Sequence, residues 1–158
     1  MYPNPYESPD LNLPPKTFGR RVYAYPSALA NPVPNIAETP MVFDAERWDH
    51  LGELSLLGPN YVYTPRKTGR YLIILNVLWD VPMGNGMSFI RMRKNGAIYT
   101  AQTYYLHANQ QNTVIFILED YLTVPDFIEF RIYQNTGLLR NYLGSQPPWT
   151  YLIIERIG

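Results

Sequence analysis

The sequence predicts an all-β protein: a jelly-roll β-sandwich of about 140 residues, residues 20–158, behind an extended proline-rich N-terminal arm, residues 1–19. Three observations predict it. No segment sustains a helical period, apolar residues recur instead at every second position in several runs, and Gly, Pro, Asn and Asp separate those runs at short intervals.

The arm comes first. Nine of the fifteen prolines lie within the first forty residues. Pro3, Pro5, Pro9, Pro14 and Pro15 each remove a backbone donor and push the preceding residue toward extended geometry, which leaves no room for a helix or a central strand. Glycine does not recur at every third position, so the stretch is not collagen-like. Tyr2, Tyr6, Leu11, Leu13 and Phe18 are spaced through it. A solvated tail has little use for such side chains, each of which can gain roughly 1.5–3 kcal/mol by burial against a partner. The stretch therefore reads as an arm that docks on a neighbouring subunit or another protein. It lacks the basic start and apolar run of a secretory signal.

The domain then opens with short strands at Arg21 to Tyr25 and Pro40 to Asp44, separated by a loop with Pro26, Pro32 and Pro34. The charged run Asp44 to Arg47 ends the second, and Trp48 to Gly52 reads as a turn. Glu53 to Leu56 and Tyr61 to Thr64 are further short strands around Gly58-Pro59-Asn60. Gly69 to Gly96 reads as a long hairpin, two antiparallel strands joined by the glycine-rich Met83 to Met87. In its first strand Tyr71, Ile73, Leu75, Val77 and Trp79 share one face, and Leu72, Ile74, Asn76, Leu78 and Asp80 share the other. With one face wholly apolar and the other mostly so, this strand is central, or its outer face is covered by another subunit. In the second, Ile90 and Met92 oppose Phe89, Arg91 and Arg93, the pattern of a strand with one wet face. Asn95-Gly96 supplies a tight turn into a strand from Ala97 to Thr103. Thr113 to Leu118 is continuously apolar and reads as a buried strand. Phe127 to Tyr133 alternates with Ile128, Phe130 and Ile132 inward, a long loop runs from Asn135 to Pro148, and Trp149 to Ile157 closes the sandwich.

Composition narrows the function. Thirteen basic and thirteen acidic side chains cancel, so no global field favours nucleic acid or an anionic membrane, and neither is expected as a partner. No run is long enough for a membrane span. The absence of cysteine removes disulfides, thiolate metal sites and cysteine nucleophiles.

Taken in order, Val22-Tyr23-Ala24, Val42-Phe43-Asp44, Trp48-Asp49 with Gly52, Gly69-Arg70-Tyr71-Leu72-Ile73 and Lys94-Asn95-Gly96 resemble the complement-q and tumour-necrosis-factor jelly-roll superfamily. Val114 to Leu118, Asp126-Phe127-Ile128 and Trp149 to Ile154 are similar to its later strands, and the resemblance covers residues 20–158. It implies a homotrimer with an apolar, partly aromatic axis. A short non-collagenous arm and a Trp-Asp after the Phe-Asp are most similar to copies of this domain on tailed-phage particles, where it serves as head decoration, head fibre or receptor-binding tip.

No catalytic, cofactor-binding or metal site is expected, and the chain is not expected to be an enzyme. His50 and His107 stand in a turn and a loop without metal-ligand spacing. Asp44, Glu46 and Asp49 flank a turn, where acids accept hydrogen bonds from backbone donors, with Arg47 among them as counter-ion. Met83 to Met87 joins two strands and opens no helix, so it is no phosphate cradle. Tyr104, Tyr105, Tyr142, Trp149 and Tyr151 could stack sugars or form an interface. The expected subunit interface comprises Tyr71, Ile73, Leu75, Trp79, Trp149 and Tyr151, and the expected arm contacts are Tyr2, Tyr6, Leu11, Leu13 and Phe18. These assemble into a trimeric capsid decoration or cementing protein on the virion surface, bound through its arm to the major capsid protein or another virion protein. The alternative is the receptor- or carbohydrate-binding tip of a phage fibre, its site in the loops Gln102 to Asn112 and Asn135 to Pro148.

Overall fold

The computed structural model describes residues 19–56, 61–80, 85–108, 110–145 and 149–158. The expected arm, with Tyr2, Tyr6, Leu11, Leu13 and Phe18, lies outside the described residues. Among those described the chain forms strands and no helix: β1 (Gly19–Tyr25), β2 (Ala30–Val33), β3 (Thr39–Pro40), β4 (Ala45–Asp49), β5 (Gly69–Leu78), β6 (Gly86–Lys94), β7 (Ala97–Leu106), β8 (Thr113–Leu122), β9 (Ile128–Gln134), β10 (Arg140–Leu143) and β11 (Tyr151–Arg156). A five-stranded sheet in the order β4-β1-β11-β5-β8 packs on a four-stranded sheet in the order β3-β9-β6-β7, with a small β10-β2 pair beside them. Every pairing is antiparallel. The expected all-β jelly-roll sandwich is the fold.

The alternation of β5 is why it lies at the centre. It pairs with β11 on one side and β8 on the other, and Tyr71, Ile73, Leu75, Val77 and Trp79 are all wholly buried within the single subunit. This corrects the interface expected of Tyr71, Ile73, Leu75 and Trp79. A side chain with no exposed surface in one subunit has none to give a second, and these four belong to the intramolecular core. On the facing sheet Ile90, Met92, Ile128, Phe130 and Ile132 are buried as the alternation predicts. Phe130 joins the two layers: its ring meets Phe43 at 6.4 Å and Phe116 at 5.7 Å between centroids, both edge to face.

The expected hairpin over Gly69 to Gly96 does not form. β5 and β6 lie in different sheets, β6 pairing with β7 and β9, so the chain crosses the sandwich between them. The Asn95-Gly96 turn does form, between β6 and β7, with φ of 54° and 79°. Several short elements differ from the sequence reading. Ala45 to Asp49, read as a charged strand end and turn, is strand β4. β2 and β10 lie in stretches read as loops, and Pro32 is tolerated because β2 is an edge strand. The strands expected at 53–56 and 61–64 reduce to single bridges from Tyr63 to Leu54 and Ile128.

The Asn95 turn is fastened to the loop before β9. Asn95 donates its backbone N–H to the Phe127 carbonyl at 2.9 Å and its Nδ2 to Asp126 Oδ1 at 2.8 Å, while Asp126 Oδ2 accepts from the Thr123 N–H at 2.7 Å. These donors, Asn95 foremost, hold the Asp126 carboxyl below the usual carboxylate range.

Two outcomes follow from this packing. Phe130→Ala is expected to cost about 3–5 kcal/mol in urea unfolding, because the cavity opens between both layers. Asp126→Asn is expected to lose about 1 kcal/mol at neutral pH. The depressed pKa stabilises the fold above the unfolded carboxyl value of about 3.9 and ceases to do so as pH falls through the folded value, so thermal melts of the two proteins should converge in strong acid.

Candidate functional site

Cross-strand partners share a face, so the pairing registers define the outer surface of the five-stranded sheet. One row runs through all five strands: Trp48, Tyr23, Ile153, Ile74 and Ile117. A second runs Tyr151, Asn76, Ile115. Tyr23 stacks on Tyr151 at 5.5 Å with 13° between planes and meets Trp48 at 5.0 Å. At the β8 margin the cover runs out: Ile115, Ile117 and Tyr121 are 48%, 53% and 56% exposed. Thr113 to Leu118 is therefore not a strand buried on both faces. Val114 and Phe116 enter the core, and the alternate isoleucines face water because β8 ends its sheet. An Arg70–Glu119 ion pair borders the apolar band.

The edge of β8 is closed by side chains of β7 and β6. Tyr104 Oη donates to the Ile115 carbonyl, Gln102 Nε2 to the Ile117 carbonyl at 3.0 Å, and Lys94 Nζ to the Tyr121 carbonyl at 2.9 Å. Lys94 Nζ also reaches Asp120 Oδ2 at 2.9 Å, and Tyr99 Oη donates to Asp120 Oδ1 at 2.8 Å, which raises the Tyr99 pKa. Edge carbonyls that would template another strand are thus occupied. What this margin leaves open to solvent is the side chains of Ile115 and Ile117.

The other candidates separate cleanly. Tyr142 is buried and its Oη accepts from the Val42 N–H at 2.9 Å, with burial pushing its pKa up. Tyr104 is committed to the β8 edge. Trp149 and Tyr151 are half-buried, Tyr151 within the apolar band and Trp149 just before it, its carbonyl taken by Asn76 Nδ2. Tyr105 alone of the five candidate aromatics is strongly exposed, at 79%. Asp44 accepts from the N–H and hydroxyl of Ser27 at 2.6 and 2.7 Å, and Asp49 from the N–H of Leu51 and Leu54, so both serve backbone donors as their turn position predicts. Arg47 differs from expectation: its guanidinium lies 5.4 Å from the Trp48 ring centre instead of on a carboxylate. Among the described residues no three of His, Asp and Glu cluster as metal ligands. Glu53 is buried, accepting from Tyr63 Oη at 3.0 Å and the Arg66 N–H at 2.8 Å. Burial and that carboxylate drive the Tyr63 pKa far up, in the closed interior where no substrate reaches.

The described residues thus form a two-layer jelly roll with an apolar band on the outer face of one sheet and an edge strand whose carbonyls are bonded by side chains of the other. Its structural neighbours are tumour-necrosis-factor and complement-q jelly rolls. Eiger TNF from S. frugiperda superposes with a TM-score of 0.63 at 13% identity, over 89% of this chain and 93% of that one. Murine APRIL gives 0.61 at 15% identity, over 88% and 100%. The globular domain of zebrafish complement 1qA protein gives 0.56 at 10% identity, over 86% and 94%. No family model and no curated protein matches the sequence. The fold is thus of the type the sequence resembles, at an identity that carries architecture alone.

Tyr142→Phe is expected to cost about 1–3 kcal/mol, since the Val42 N–H loses its acceptor in a part-buried site. Denaturant titration measures it, and Tyr105→Phe is the control that should leave stability unchanged.

Proposed function

We propose that the protein is a structural virion component: a homotrimeric jelly roll that decorates a phage capsid and is held there by its N-terminal arm. The observation that carries the assembly is the apolar face of the five-stranded sheet, whose β8 margin leaves Ile115 and Ile117 half in water. At strand spacings of about 4.8 Å the Trp48-to-Ile117 row runs on the order of 20 Å across the sheet. An apolar band with an exposed margin suits an interaction site, and burying it among three copies removes it from water. Trp149 and Tyr151 extend the interface; Ile74, Ile115, Ile117 and Ile153 replace the core residues that the sequence pointed to.

The attachment reading rests on the arm's composition and on where it joins. β1 begins at Gly19 opposite Arg156 of β11, and the C-terminal Gly158 accepts from the Arg70 N–H at 2.7 Å at the same end of the sandwich. Cyclic symmetry sets three arms at one level along the axis. Each arm buries Tyr, Leu and Phe side chains against a capsid subunit, and linkage raises avidity because release requires several contacts to break together. No catalytic group takes part.

Mass measurement in solution is expected to give three times the 18.3 kDa chain. Ile117→Arg should shift it to one chain while leaving a cooperative thermal transition, since Ile117 packs outside the core. Removal of residues 1–18 should leave a folded trimer that no longer cosediments with phage heads. Retained cosedimentation would sink the arm's role.

A further inference from the structure

The sandwich has two distinct ends. Gly19, Gly69, Leu122 and Gly158 mark the end from which the arm leaves, while Leu106, Thr113 and Asn135 lie at the other, across strands of seven to ten residues. At that opposite end, on the four-stranded sheet and so clear of the proposed subunit interface, lies an open trough of about 670 Å³ lined by Asn85, Gly86, Met87, Tyr105, Leu106, His107 and Asn135. From this we propose that the trough binds a neutral saccharide.

The lining argues for that chemistry. It contains no Asp, Glu, Lys or Arg, so it does not select by charge. Tyr105, facing Met87 across the β6–β7 ladder, presents a ring that is 79% exposed, where the other four candidate aromatics are buried or half-buried. The two amides are oriented by their oxygens: Asn85 Oδ1 accepts from the Ala108 N–H at 2.9 Å and Asn135 Oδ1 from the Met87 N–H at 2.6 Å. With the oxygens committed, the Nδ2 group of each Asn is its remaining hydrogen-bonding function, a double donor. His107 is held by its backbone, donating to Asn112 Oδ1 at 3.2 Å and accepting from Asn112 Nδ2 at 3.1 Å, which leaves its imidazole to donate or accept. Gly86 keeps the floor narrow, because a Cβ there would meet Thr136 Cγ2 at 2.8 Å.

An aromatic face beside fixed amide donors and an imidazole, without formal charge, is complementary to a pyranose, which has an apolar C–H face and a rim of hydroxyls. A peptide would use a free strand edge, and the neighbouring edge of β7 faces β8, to whose carbonyls Gln102 and Tyr104 donate. The inference reaches beyond the assembly role and gives the fibre-tip alternative a defined site. If the arm anchors the particle end, this trough points away from it.

The test uses the full chain, isotope-labelled, with neutral mono- to tetrasaccharides of glucose, galactose, mannose and N-acetylglucosamine at millimolar concentration. At least one sugar is expected to shift the side-chain amide signals of Asn85 and Asn135 and the Tyr105 ring. Tyr105→Ala should weaken that binding by about tenfold or more, a loss of about 1.4 kcal/mol. Asn135→Asp retains the acceptor for Met87 and removes the donors, so it should weaken binding with the melting temperature unchanged. No shift with any sugar, shifts that survive Tyr105→Ala, or shifts produced by unstructured peptides but not by sugars would each overturn the proposal. Cosedimentation with heads reads the arm alone, so the two proposals fail separately.

Discussion

The complete burial of the inner face of β5, beside an outer face that is largely apolar but only partly covered, is the constraint from which the rest of the structure follows. A ten-residue strand whose inner side chains are wholly buried needs a complete second layer, and β6 and β9 supply it with Ile90, Met92, Phe130 and Ile132. Its outer side chains, Leu72 and Ile74, require cover of a different kind. β11 and β8 flank Ile74 with Ile153 and Ile117, themselves apolar, so the band is widened and not closed, while Leu72 lies between Glu155 and Glu119 at its margin. Each strand added to the sheet passes the requirement outward until β8, where it meets water.

That edge also decides how the requirement can be met. An unprotected final strand would let the apolar face grow by strand addition, an open-ended process that yields fibres. Here the carbonyls of Ile115, Ile117 and Tyr121 are taken by Tyr104, Gln102 and Lys94. What remains is packing of side chains on a face of fixed size, and a closed ring of copies satisfies that without leaving an end. The polar closure of the edge and the apolar face beside it are therefore parts of one arrangement.

The sequence made the strands legible because the alternation at Tyr71 to Trp79 and at Ile128 to Tyr133 is set by burial, and burial is what the pattern records. It could not show which strands pair. Residues 69–96 look like a hairpin because both sheets present apolar residues inward, so a crossing between layers and a turn within one leave the same period-2 signature. The same ambiguity displaced the interface. Parity separates two faces without saying which meets the other sheet, and Tyr71, Ile73, Leu75 and Trp79, the more apolar set, fill the core. β4 was hidden by charge: Ala45 to Asp49 is a margin strand whose Trp48 alone faces the band. The trough was half visible, since both flanking loops stood out as polar. That Tyr105 and not Tyr104 is the exposed ring depends on the β7 edge meeting β8, a long-range contact no local pattern encodes.

The two proposals place attachment and ligand binding at opposite ends of the sandwich. Gly19, where β1 begins, and Gly158 lie at one end, so the attachment proposed for the N-terminal residues acts from that end. The strands between are rigid ladders, and the end that carries Asn85, Tyr105, His107 and Asn135 is then held roughly 30 Å away, the length of a ten-residue strand. Among the described residues of the loop there, Asn112 hydrogen-bonds to His107 and Gln110, and Asn85 accepts from the Ala108 N–H. Donors fixed by such hydrogen bonds would meet the neutral ligand proposed above without the ordering cost that it would otherwise have to offset.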